Sequence, residues 1–289
     1  MKKNLFLLFF AVAVISTAQT QHLNIATYNL RYQNAGDSMQ GNAWSKRCPI
    51  ICELVRYHDF DIWGGQEVLF AQLNDLKNNL PEYSCVGVGR DDGDKEGECS
   101  PVFYKKDRFT CLQSGFFWLS TITDKPNKGW DAALPRICTW IQLQENGTNR
   151  MLWFFNLHFD HIGVIARRES AKLVLAKINE MCADEQVILV GDFNVDQHNE
   201  SYTLIQTSGR LRDTYEIAKI RYAQTGTFNN FNPNQHSDSR IDHIFVSSDF
   251  DVTRYGILTD SYRDTESIRL PSDHFPVKAE IKWKLTIEN

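Results

Sequence analysis

Six short segments of this chain gather carboxylates, amides and imidazoles: Asn29, Gln66-Glu67, Asn156-x-His158-x-Asp160, Asp192-x-Asn194, Asp242-His243 and Asp273-His274. Five of them lie on or just after apolar runs that read as strands, and the sixth precedes one. Ligand sites in α/β sheets form at strand ends, so these segments can converge on one cleft. In an extended chain, residues two apart share a face. Asp192 and Asn194 therefore aim together while Phe193 turns away, and Asn156, His158 and Asp160 stand opposite Leu157 and Phe159. Gly191 leaves room for a tight turn or for a substrate to approach the backbone. Singly, each segment has a plain structural reading. The Gly-Asp-Phe-Asn run can be a turn or a helix cap, His158 a hydrogen-bonded core histidine, and Asp273-His274, after Pro271-Ser272, a solvated turn. Six together point to a site.

Glu67 offers a hard oxygen ligand, with Asn29 and Asp273 as further oxygen donors, a set that Mg²⁺ or Mn²⁺ prefers. Zinc would ask for a tighter Cys/His set than the spacing provides. Two histidines on different strands, with carboxylates to spare, suit phosphoester hydrolysis. A metal neutralises phosphoryl charge, a carboxylate orients water, and an imidazole donates to a non-bridging oxygen. Neither Gly-x-Ser-x-Gly nor a P-loop is present, which leaves serine acyl transfer and an NTP cradle without support.

The elements that must position these groups alternate in period. Leu23–Leu30 reads as a strand, followed by a helix from about Asn42 with Ile50, Ile51, Leu54 and Val55 on its buried stripe. A second strand, Phe60–Gln66, precedes a second helix, Leu69–Asn79. Strands follow at Ser84–Gly89, Pro101–Tyr104, Thr110–Leu119, Ile137–Leu143 and Met151–Leu157, the last two flanking Asn146-Gly147 as a two-residue turn. A long helix over Ile165–Cys182 leads to the strand Val187–Val190 and a helix near Glu200–Thr207. The strands Ile241–Val246, Val252–Leu258 and Val277–Trp283 complete the chain. Strand–helix units at both ends and a β-rich middle predict a mixed α/β (α+β) fold, two packed sheets between helical layers.

Length and composition bound the rest. With 289 residues, no low-complexity tract and no Pro/Gly-rich linker, one domain over residues 21–289 is expected. Lys2-Lys3, the apolar run Leu5–Ile15 and Ser16-Thr17-Ala18 read as a signal peptide cleaved near residue 20. The run is too short to span a bilayer. No other stretch is apolar enough for stable membrane insertion, so an exported, periplasmic or extracellular monomer is expected. There are 31 Lys and Arg against 36 Asp and Glu, so the formal charge is −5, and it becomes −7 once Lys2 and Lys3 are removed. That balance argues against broad polyanion binding but leaves nucleic acid possible as a substrate, because a bound cation can reverse the field locally. The seven cysteines are odd in number and contain no C-x-x-C pair; all read as structural, Cys48 and Cys52 packing one helical turn apart.

Thr27-Tyr28-Asn29-Leu30-Arg31, Gln66-Glu67-Val68, Asn156 to His161, Gly191-Asp192-Phe193-Asn194, Ser239 to Phe245 and Ser272-Asp273-His274-Phe275-Pro276 resemble, in order, the signature blocks of the endonuclease/exonuclease/phosphatase superfamily. The resemblance runs from about Leu23 to Trp283 and implies a four-layer α/β sandwich. By position it makes Glu67 the principal divalent-metal ligand, with Asn29 beside it and Asp273 nearby. Asp192 would orient or deprotonate the attacking water, and Asn194 would hold it with the phosphate. His274 would contact the scissile phosphate with Asp242 orienting its ring, and His158 would be a second phosphate-binding or acid histidine supported by Glu98. Gly87 to Gly93, Phe117-Trp118-Leu119-Ser120 and Gly129 to Ala133 resemble a group of exported bacterial members. Arg90, Trp130, Asp131, Arg136 and His161 are the candidates for its substrate pocket, with Asn156 and Asp160 beside them. Against this, Arg90 can simply pair with Asp91 or Asp92, and Trp130 can cap the core. Three functions follow: a Mg²⁺- or Mn²⁺-dependent phosphoesterase on a small or headgroup-sized ester, a secreted nuclease, or a binding protein that keeps the fold without catalysis.

Overall fold

The computed structural model describes residues 22–265 and 267–284; the signal-peptide reading falls on residues outside them. The elements run β1 (Leu23–Asn29), α1 (Ala35–Met39), α2 (Trp44–Tyr57), β2 (Ile62–Gln66), β3 (Val68–Leu69), α3 (Phe70–Asn79), β4 (Tyr83–Val86), β5 (Glu98–Cys99), β6 (Val102–Lys105), β7 (Phe109–Trp118), β8 (Ile137–Glu145) and β9 (Met151–His158). They continue α4 (Val164–Cys182), β10 (Val187–Asp192), α5 (Glu200–Gln206), β11 (Arg212–Asp213), α6 (Thr214–Ile217), β12 (Ile220–Tyr222), β13 (Asp242–Val246), β14 (Phe250–Ile257), β15 (Tyr262–Arg263), β16 (Ile268–Arg269) and β17 (Val277–Trp283).

Among the described residues, seven strands form one sheet in the order β12-β14-β17-β1-β2-β6-β4, and six form another in the order β11-β13-β10-β9-β8-β7. Each sheet holds a parallel pair bridged by a helix: β1 and β2 by way of α2, β9 and β10 by way of α4. Such a crossover must lie on one face of its sheet, so α2 and α4 cover the two outer faces. Three apolar layers result. Leu23, Ile25 and Ile281 meet Phe154, Ile188 and Ile244 between the sheets. Ala26, Tyr28 and Trp63 pack on Cys48, Ile51 and Val55 of α2. Leu157 and Leu189 pack on Ala171, Val174 and Ile178 of α4. The expected four-layer order of helices, sheet, sheet and helices is observed. β9 and β10, buried on both faces, read as near-continuous apolar runs, whereas β17 alternates, its Lys278, Glu280 and Lys282 half-buried on the outer face.

The period of two explains where the polar residues go. Along β1 the inward row is Leu23, Ile25, Thr27, Asn29; along β9 it is Leu152, Phe154, Asn156, His158; along β10, Ile188, Val190, Asp192. Each row is apolar in depth and polar at its C-terminal end, so the sandwich opens at that end into a polar cleft. Gly191 serves this packing rather than a turn: a Cβ there would stand 2.2 Å from the Leu157 carbonyl oxygen on β9. The expected two-residue hairpin at Asn146-Gly147 is a four-residue connection instead, closed by Glu145 N–H to the Arg150 carbonyl at 2.8 Å. The seven cysteines form no disulfide, and Cys48 and Cys52 sit on the buried face of α2, packed in the core as expected.

Candidate active site

Sheet register assembles the centre. Asp192 stands directly across from His158 on one side and from Asp242 on the other. From the opposite sheet, Asn29 Nδ2 donates to Asp192 Oδ2 at 3.0 Å and to Glu67 Oε1 at 3.1 Å, tying two carboxylates together. Its Oδ1 accepts the Arg31 N–H at 3.0 Å, so a cation would use the oxygen's second lone pair. His274 reaches the same point from the turn before β17, its Nδ1 2.9 Å from Asp242 Oδ2 and its Nε2 3.8 Å from Asp192 Oδ2. Asn194 donates from Nδ2 to His158 Nε2 and to the Phe159 carbonyl, both at 3.0 Å, while its backbone N–H binds Asp192 Oδ1 at 2.9 Å.

The two histidines are driven apart. Burial, then the Arg136 and Arg90 cations, push His158 well below the ordinary imidazole range. Burial acts the same way on His274, but the Asp242 and Asp192 carboxylates outweigh it and hold that ring well above the ordinary range. One imidazole is thus neutral and one cationic at neutral pH, and such a split marks distinct roles. Burial first, and the Asp242 charge second, push Asp192 up to about 7 against the pull of His274. Burial and the Glu67 charge push Asp273 up to about 6 against His274 and Arg31.

Glu67, Asp273 and Asn29 form an oxygen-only donor set at the mouth. Arg31 is the cation in reach, 3.9 Å from Glu67 Oε2 and 3.6 Å from Asp273 Oδ2, though its closest partner is Asp37 at 2.8 Å. The Glu67 charge raises the proton affinity of Asp273, and two carboxylates gathered at one point fit a hard divalent cation. Asp192, Asp242 and His274 also bring ligand atoms within 4.8 Å of one another and could hold a metal. There the His274–Asp242 hydrogen bond already occupies one pair of atoms.

A cleft of about 550 Å³ opens over these groups, lined also by Tyr32, Leu134, Phe228, Asn230 and Ile241. Glu98, Arg136 and His161 line it as well. Glu98 lies 3.9 Å from His158 Nδ1, near but short of a hydrogen bond. The other pocket candidates are placed elsewhere. Asn156 is fully buried, giving its amide to the Gly65 and Pro101 carbonyls and receiving Gln66 Nε2 at 2.6 Å, so it bolts the sheets together beneath the cleft floor. Asp160 is 2% exposed and spent on Arg136 and on the backbone N–H groups of Leu134, Ile162 and Gly163. Asp131 accepts the N–H groups of Ile165 and Ala166, capping α4, whose own N-cap Gly163 has no side chain to do so. Trp130, beside it, is exposed and not among the cleft residues. Arg90 forks onto Glu98 at 2.7 and 2.9 Å rather than onto Asp91, Asp92 or an open phosphate site.

Sequence reasoning passed over Arg47. Fully buried in α2, it donates to the carbonyls of Asn42, Leu30, Arg31 and Pro271 and so pins both loops that carry Asn29 and Asp273. An arginine inside an otherwise apolar helical stripe was the signal. Arg47→Leu is expected to cost about 3–5 kcal/mol in urea unfolding, because three buried carbonyls and the part-buried one of Arg31 lose a charged donor. A loss below about 1 kcal/mol would show that the pin is dispensable.

Residues 26–274 match the model of the endonuclease/exonuclease/phosphatase family. The chain belongs to that family. An endonuclease/exonuclease/phosphatase family protein from Bacteroides thetaiotaomicron is 51% identical, with 93% of this chain and 100% of that one covered and a TM-score of 0.91. A structure described as a mannosyl-6-phosphatase of the same organism is 52% identical, covering 90% and 100% of the two chains, with a TM-score of 0.89. An uncharacterized protein of Acanthamoeba polyphaga mimivirus is 27% identical over 256 residues, 81% of this chain and 90% of that one. Proteins of this family act on phosphoesters or nucleic acids, and no helix among the described residues is long and apolar enough to cross a membrane.

Proposed function

We propose that this chain is an exported, divalent-metal-dependent phosphoesterase acting on a small substrate of sugar-phosphate size. The observation that carries the reading is geometric: Asp192 stands between His158 and the His274–Asp242 pair, with His274 Nε2 3.8 Å from its Oδ2 and His274 Nδ1 2.9 Å from Asp242. The mannosyl-6-phosphatase description of a relative 52% identical favours a sugar phosphate, and the cleft volume is in the range of small-ligand sites. Glu67 and Asp273, with the Asn29 oxygen, would hold Mg²⁺ or Mn²⁺, which supplies neutralisation of phosphoryl charge. Asp192 orients the attacking water and takes its proton as the new P–O bond forms, while the ester P–O bond opposite it breaks and the departing sugar oxygen takes a proton from solvent. His274, held by Asp242, donates to a non-bridging oxygen, and Asn194, whose amide hydrogens go to His158 and the Phe159 carbonyl, holds the His158 ring against the other side of the phosphate site.

Protein lacking residues 1–20 should hydrolyse a sugar phosphate or an aryl phosphate with Mg²⁺ or Mn²⁺ present, in a panel that also holds a bis-aryl phosphate, sphingomyelin and oligonucleotides. If wild type matches Asp192→Asn on every member, the enzymatic reading fails; oligonucleotide cleavage alone would make it a nuclease. Chelation should silence the enzyme and added Mg²⁺ restore it. Glu67→Gln should weaken Mn²⁺ binding in calorimetry by about tenfold or more, and unchanged binding would move the cation to another carboxylate set.

A further inference from the structure

Arg136 stands just before β8 with 4% of its surface exposed, and it lines the cleft beside His158 and His161. Its Nε donates to Asp160 Oδ2 at 3.3 Å and its Nη2 to His161 Nδ1 at 3.0 Å, whereas Nη1 has no hydrogen-bond partner. A buried guanidinium with an unanswered N–H is costly unless something binds there. Its counter-charges are shared, because Asp160 also answers three backbone N–H groups and Glu98, the other carboxylate acting on it, is forked by Arg90. With Nδ1 of His161 accepting, the proton of that exposed ring sits on Nε2, a second donor on the same wall.

We propose that Arg136 and His161 form a subsite for the extra charged oxygen of a phosphomonoester, so that the cleft selects a terminal phosphate over a phosphodiester. The proposal rests on the phosphoesterase reading and adds the charge state of its substrate. A phosphomonoester has a second pKa near 6 and is largely dianionic at neutral pH. A diester carries one negative charge and presents a carbon substituent where the monoester presents an oxygen. Arginine stays charged throughout, and its planar fork, fixed here at two of three nitrogens, favours the group with the additional anionic oxygen.

Calorimetric titration of inorganic phosphate and of dimethyl phosphate, in Mg²⁺ buffer and without turnover, tests the subsite directly. Arg136→Gln should weaken phosphate binding about 30-fold and dimethyl phosphate far less, with Arg136→Lys in between. The ratio of kcat/KM for 4-nitrophenyl phosphate to that for bis(4-nitrophenyl) phosphate should fall by about the same factor. Equal losses for both anions, or no loss, would overturn the subsite and leave Arg136 a structural partner of Asp160. Should Arg136→Gln not fold, His161→Gln, altered at an exposed ring, carries the test with about a fivefold loss selective for phosphate. A wild type inert on every ester of the panel above, sugar phosphate included, defeats the phosphoesterase reading, while the two titrations still judge the subsite.

Discussion

Asp192→Asn is expected to lower kcat by about 10³- to 10⁴-fold while the protein stays folded. The side chain keeps its shape, and the change removes only what an amide cannot do: carry negative charge and accept a proton from water. Asp192 is placed for that task at the meeting of three strands, opposite both His158 and Asp242 and 3.0 Å from Asn29 of the other sheet. Burial pushes its proton affinity up to about 7, near the pH at which a base works best. The structural cost is small and partly offset. One of the two donors now satisfied by Asp192, Asn29 Nδ2 or the Asn194 N–H, loses an acceptor, but a buried charge facing Asp242 disappears. A melting temperature at or above that of wild type, with turnover near background, is the expected pair of readings. Retention of a tenth of the wild-type kcat would remove Asp192 from the chemistry.

What could be read from sequence was face; what could not was depth. Alternation puts Asn156 and His158 on one side of β9, and both do point between the sheets. Two residues are about 6.6 Å of strand, however, and that distance separates a bolt beneath the floor from a group in the cleft. The closing loops were harder still. Glu67, Arg31 and Asn194 sit at positive φ, between 50° and 58°. Such backbone is uncommon for non-glycine residues and clusters at functional sites, yet no residue type announces it. Those turns bring the Glu67 carboxylate and the Arg31 guanidinium to the mouth, although neither follows from strand periodicity. Phe228 and Asn230 arrive from an irregular segment tied to the Asp273 carbonyl by the Asn229 and Asn230 N–H groups, contacts 43 and 44 residues apart in sequence. Asp131 shows the converse. A Trp-Asp pair looks like a ligand platform until the structure places Asp131 over a helix that begins 33 residues later with a glycine where its cap should be.

His274→Ala is expected to cost about 10³-fold or more in kcat, and Asp242→Asn about 10²-fold, yet the double variant should be no slower than His274→Ala alone. Asp242 does not line the cleft; it touches the imidazole at 2.9 Å and keeps that ring charged and oriented. Its influence therefore runs through His274, and removing the ring leaves Asp242 nothing to orient. The carboxylate also has a cost of its own, for its Oδ1 is buried without a hydrogen-bond partner. In His274→Ala that charge would lie unpaired beside Asp192 and raise the proton affinity of the base further. Neutralising it with Asp242→Asn should therefore leave the double variant equal to, or slightly faster than, the single one. Independent, additive losses near 10⁵-fold would instead mean that Asp242 acts on the reaction directly, as it would if Asp192, Asp242 and His274 together held the metal. Calorimetric Mn²⁺ binding separates the two cases. An affinity unaffected by Asp242→Asn keeps the cation at Glu67 and Asp273, and a loss of tenfold or more moves it to the floor of the cleft.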